Sequence, residues 1–247
     1  MERNVLVDRL KGYACFLVLF GHVIMGIRIA GIDIPEFFWG MEKFIWSFHV
    51  ALFLFLSGVV YKVTGEWKSK KTKWGFLLFK LYTLGYIVFS VVYILINSLV
   101  GEANTGFAPS DILNVWKTPV AQYWFLYALF FLFCIWTAFS GVLKNWQITL
   151  IVVLIGYLAP LFGILLGSLD VVFYSALAFG IGTFVDFKSL TKLRTWAKCL
   201  VVILHIITGI IFILLKKIEA PFIKEIMILF GIYSRIMFLS ILQNCKA

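Results

Sequence analysis

Charge is scarce in this chain. Only 14% of its 247 residues are charged, and the acids number 12. An ordinary soluble domain carries about one quarter charged residues, so a soluble globular enzyme is excluded at the outset. Cysteine is also sparse. Cys15, Cys134, Cys199 and Cys245 form no C-x-x-C pair, and the first three lie in or beside apolar runs. They read as small apolar side chains, not as a disulfide or zinc framework. The three histidines, His22, His49 and His205, lack the i, i+4 spacing of helical metal ligands, so no metal is expected. A phosphate-binding glycine loop, a G-x-S-x-G elbow and an H-E-x-x-H pair are all absent. Tandem repeats, low-complexity tracts and a soluble domain are missing too, and no cleavable leader is expected.

What the chain has is apolar length. Hydrophobic residues make up 62% of it, and Phe alone occurs 26 times. A membrane-spanning helix needs about 17–25 mostly apolar residues. Eight stretches qualify, at about 13–30, 44–61, 75–99, 123–143, 148–167, 171–187, 199–215 and 226–242. They run continuously apolar without the period-2 alternation of barrel strands, so they are helices. The expected fold is all-α, a polytopic transmembrane helix bundle that takes in residues 1–247 as one membrane-embedded domain.

The net charge of +10 has a topological cause. With the N-terminus in the cytoplasm, 14 Lys and Arg fall on the cytoplasmic side and six outside, with Lys80 and Arg235 inside spans. That asymmetry is what the positive-inside rule predicts for a multi-pass cell-membrane protein with a cytoplasmic N-terminus. The basic run of Lys68, Lys70, Lys71 and Lys73 reads as a topology signal and an anionic-lipid contact, not as a nucleic-acid site.

Ionisable groups inside spans are costly, which makes them functional candidates. Lys11 and His22 are eleven residues apart. At about 100° per residue the two directions agree to within about 20°, with a rise of about 16 Å. Asp8 falls near the same stripe one turn earlier, and Arg9 points away. A cation at the cytoplasmic mouth suits an anionic donor such as a nucleotide phosphate. A deep imidazole suits proton removal from an acceptor hydroxyl. The bland alternative is a histidine bonded to a neighbouring helix for packing alone. If the stripe is functional, the first helix is buried in the bundle and Lys11 and His22 share an interior. His49 reads as interfacial, His205 as structural, and Arg235 and Lys80 as able to snorkel or pair.

Four stretches resemble the acyltransferase-3 family of membrane acyltransferases: DRLKGYACFLVLFGH at 8–22, FHVALFLFLSG at 48–58, QYWFLYALF at 122–130 and YSALAFGIG at 174–182. The family carries a basic residue, ten intervening residues and a histidine on its first helix, which maps to Lys11 and His22. Many members have Arg where this chain has Lys11, which keeps the charge and loses the bidentate fork. The resemblance implies an O-acyltransferase that moves an acyl group, expected to be acetyl, from acyl-CoA to a hydroxyl of a cell-surface polysaccharide or related glycan. It implies His22 as general base with Lys11 and Asp8 beside it, and His49, Ser57 and Trp124 along the substrate cavity. The implied partners are the lipid bilayer, acyl-CoA and a glycan acceptor. The family has about ten spans against eight here, so C-terminal spans are expected to be missing. Two other classes stay open. A transporter or permease would show inverted repeats and broken helices in both halves, and Pro160 has no matching partner. An inactive, truncated acyltransferase would keep the fold without the chemistry.

Overall fold

A computed structural model of the chain describes residues 5–63, 80–100, 107–215 and 221–244. Helix is the regular structure among these residues, and no strand occurs among them. The helices are α1 (Val5–Ile29), α2 (Glu36–Trp46), α3 (His49–Val63), α4 (Phe89–Val100), α5 (Trp124–Phe139), α6 (Asn145–Leu161), α7 (Asp170–Phe184), the short α8 (Phe187–Leu190), α9 (Thr195–Leu215) and α10 (Pro221–Asn244). A π-helical turn, Thr83–Val88, leads into α4.

Among the described residues five stretches are long and apolar enough to cross a membrane: Val5–Ile29, Glu36–Lys62, Lys80–Leu99, Ala121–Phe139 and Gly167–Phe184. Shorter apolar helices cover Asn145–Leu161, Thr195–Ile210 and Ile228–Leu242. The first span starts earlier than the apolar run does, so Asp8, Arg9 and Lys11 are already helical. The second reaches back to Glu36 and is broken at Ser47–Phe48, where α2 ends and α3 begins. Lys68, Lys70, Lys71 and Lys73 lie outside the described residues, as do residues 75–79 of the third expected span, Arg3, Lys216, Lys217, Cys245 and Lys246.

The chain divides into two compact units. One joins 1–59 with 185–247, and the other is the continuous segment 60–184. In the continuous unit α6 and α7 form a hairpin whose connection contains Gly163 at φ 71° and Gly167 at φ 57°, left-handed values that glycine adopts without strain. Their axes approach closely because glycines face side chains. A Cβ at Gly156 would lie 2.7 Å from the Phe173 Cβ. Small residues that let backbones approach are how helices associate where lipid is as apolar as leucine. Gly156→Leu is therefore expected to destabilise this unit by about 1–3 kcal/mol through overpacking. Thermal unfolding in detergent checks it, and an unchanged midpoint would mean that α6 and α7 separate freely.

The same unit holds its 109–118 segment by tyrosines. The Tyr86 hydroxyl lies 2.8 Å from the Val115 carbonyl oxygen and 2.7 Å from that of Thr118, and can donate to either. Tyr127 donates to the Lys117 carbonyl at 3.2 Å, and Tyr82 donates to that of Trp116. This connection is tied to the helices below it. Its own first turn is fixed by Asp111, whose carboxylate accepts from the Ala108 N–H at 2.9 Å.

Candidate active site

The unit built from both ends of the chain holds the histidines. Helix α1 buries one face, formed by Leu10, Ala14, Leu17, Gly21 and Ile24. Leu17 packs with Ile45 and Phe48, and Tyr13, Phe20 and Phe44 close around them. Lys11 and His22 sit about 100–120° from the middle of this face, roughly a third of a turn, and both are half-buried. Asp8 is exposed. The stripe thus runs along the margin of the packed face and not through its centre. The C-terminal end of α1 is joined to α2 by an ion pair, Arg28 to the buried Glu42 at 3.1 Å.

His22 meets Trp46 edge-on, with ring centroids 5.4 Å apart. Trp46 meets His49 in the same manner at 5.5 Å. One indole therefore lies between the two imidazoles, one from α1 and one from the start of α3. The approach depends on Gly21, where a Cβ would stand 3.2 Å from the Trp46 Nε1. The break at Ser47–Phe48 sets the orientation of His49. Helix α2 ends with Ser47, whose hydroxyl donates to the Phe44 carbonyl at 2.7 Å. The Ile45 carbonyl, which accepts from the Phe48 N–H at 3.3 Å, also takes the His49 Nδ1 at 2.9 Å. A carbonyl can only accept, so Nδ1 carries the proton, and the neutral ring keeps its lone pair on Nε2. His49 is buried, whereas His22 is half-buried and has no hydrogen bond among the described residues.

The other expected site residues are less telling. The Ser57 hydroxyl is half-buried and donates to the Phe53 carbonyl at 2.9 Å, the usual back-bond of a helical serine. Trp124 is the first residue of α5 and is half-buried in the continuous unit. Sequence reasoning passed over Trp46, because a tryptophan in an apolar run carries no signal of its own.

The family model described as an acyltransferase domain matches residues 4–245. The chain belongs to the acyltransferase-3 family. No curated protein and no solved structure matches it. In this membrane acyltransferase His22 and His49 are the two imidazoles that meet the Trp46 ring, within the stretches 8–22 and 48–58.

Proposed function

We propose that this acyltransferase moves an acetyl group from acetyl-CoA to a hydroxyl of a cell-surface glycan, as a multi-pass protein of the cell membrane with its N-terminus in the cytoplasm. The observation that carries the reading is the pair of imidazoles on Trp46 in a chain of this family. His22 takes the proton from the acceptor hydroxyl, and the hydroxyl oxygen attacks the thioester carbonyl. The C–S bond breaks, the coenzyme thiolate leaves, and the proton held on His22 returns to the sulfur. His49, held through Nδ1, positions the acceptor with Nε2. Lys11, with Asp8 one turn away, draws the phosphates of the donor towards the cytoplasmic mouth. The apolar walls exclude water and so limit hydrolysis of the thioester.

Membranes from cells that make the protein and from cells that lack it are to be supplied with acetyl-CoA labelled in the acetyl group. Label should enter an alkali-labile ester on envelope glycan only where the protein is present. Equal labelling in both would leave the chain as a fold without this chemistry.

A further inference from the structure

The pair α9 and α10 carries two buried cations, and among the described residues no carboxylate pairs with either. Arg235 is 8% exposed and Lys198 is 3% exposed. The Arg235 guanidinium carbon lies 4.6 Å from the Phe48 ring centre, 5.5 Å from Phe44 and 6.0 Å from Tyr13. These rings give it cation–π contact but accept none of its N–H groups in the plane of the guanidinium. Its Nε has no hydrogen-bond partner, and among the described residues no carboxylate pairs with it. His205 is fully buried beside the same two rings, 5.0 Å from Phe44 and 5.5 Å from Phe48, with Phe230 at 5.5 Å. Both of its ring nitrogens are unpartnered, as is the hydroxyl of Ser234 next to Arg235. Seven residues before His205, on the same face of α9, Lys198 donates to the Ser240 hydroxyl of α10 at 2.6 Å. A hydroxyl does not neutralise an ammonium.

Buried polar groups are almost always bonded, and a buried charge without a counter-charge is among the costliest features a helix bundle can keep. Here two cations, an imidazole and a hydroxyl lie along one helix pair, and what they lack is a single kind of group. We propose that α9 and α10 form a binding site for a phosphate-bearing ligand, with Arg235 as its principal anchor, His205 and Ser234 beside it, and Lys198 at the other end. A guanidinium matches a phosphate through two parallel N–H bonds, and an imidazole and a hydroxyl can donate to its remaining oxygens. Lys198 and His205 are about 10 Å apart along α9, so the ligand reaching both ends carries more than one anionic group or an extended one. The site stands apart from the transfer chemistry assigned to His22 and does not rest on it.

Two sources of phosphate are separable. The purified full chain in phosphatidylcholine nanodiscs is titrated with coenzyme A. In parallel, native mass spectrometry counts phosphatidylglycerol retained from mixed phosphatidylglycerol and phosphatidylcholine discs. Arg235→Met should weaken one of the two by at least about tenfold, while Arg235→Lys keeps most of the binding. Met is close to Arg in length and apolar, and replacing an uncompensated buried ion by an apolar side chain is commonly neutral or stabilising. The unliganded Arg235→Met protein should therefore melt no lower than the wild type. Loss of coenzyme A binding makes the donor the ligand, and loss of phosphatidylglycerol makes it a lipid. Both probes bound as in the wild type would overturn the site. Should Arg235→Met not fold, Lys198→Met decides, and wild-type binding of both probes in that variant overturns it equally. Binding is read without turnover. A chain that binds phosphate but transfers no acetyl removes the proposed activity alone, and a chain that transfers normally with Arg235→Met binding unchanged removes this site alone.

Discussion

His22→Ala is expected to lower acetyl transfer by about 10²–10⁴-fold, the usual contribution of a positioned general base. The protein should still insert and melt as the wild type does, because His22 is half-buried and makes no hydrogen bond among the described residues. Its one ring contact is the edge of Trp46 at 5.4 Å. His49→Ala makes the informative partner. It removes no proton acceptor of the assigned mechanism, but it takes from the Ile45 carbonyl the shorter of its two hydrogen bonds at the helix break. It should raise KM and lower stability more than His22→Ala does. If His49→Ala abolishes transfer and His22→Ala does not, the base is the imidazole whose tautomer the backbone fixes.

Trp136→Ala should cost about 3–5 kcal/mol of stability, the largest effect expected in the continuous unit. Trp136 is fully buried in α5. Its ring meets Phe179 of α7 edge-on at 5.1 Å, and its Nε1 donates to the Thr183 hydroxyl at 3.2 Å. Truncation removes the ring from a packed interface that lipid tails cannot refill. Thr183 is less affected, since its hydroxyl also donates to the Gly180 carbonyl at 2.6 Å. Trp136→Phe should therefore recover most of the loss, with a remainder of about 1 kcal/mol for the missing hydrogen bond. Thermal unfolding of the two variants in one detergent checks both numbers. A drop for Phe as large as that for Ala would assign the stability to the N–H and not to the ring.

The membrane class and helical architecture could be read from residue types alone, because apolar runs of spanning length have few alternatives. The Lys11–His22 stripe was legible because both residues belong to one helix with a fixed period. The break at Ser47–Phe48 was not. Nothing in Phe44-Ile45-Trp46-Ser47-Phe48-His49 resembles a stop signal, for there is neither proline nor glycine, and apolar residues continue on both sides. Without the break, His49 is one interfacial residue among many. With it, the side chain reaches the Ile45 carbonyl and faces Trp46. Arg235 and His205 were passed over for a related reason. They stand thirty residues apart on different helices, and only packing on Phe44 and Phe48 reveals that they share surroundings.

The division of the chain also sets an order of assembly during synthesis. The 60–184 unit is continuous, so all of its helices have left the ribosome before the final ones are made. Its α6–α7 hairpin has partners close in sequence and can pair as soon as both helices are inserted. The histidine-bearing unit is discontinuous. Its first helices must wait in the bilayer while about half of the chain is made, with Phe44 and Phe48 lacking the His205 and Arg235 that later lie against them. A chain halted once the continuous unit had emerged would thus leave a finished central hairpin and an unfinished histidine-bearing unit. That interval is when the quality-control machinery of the membrane would find α1 to α3 most easily.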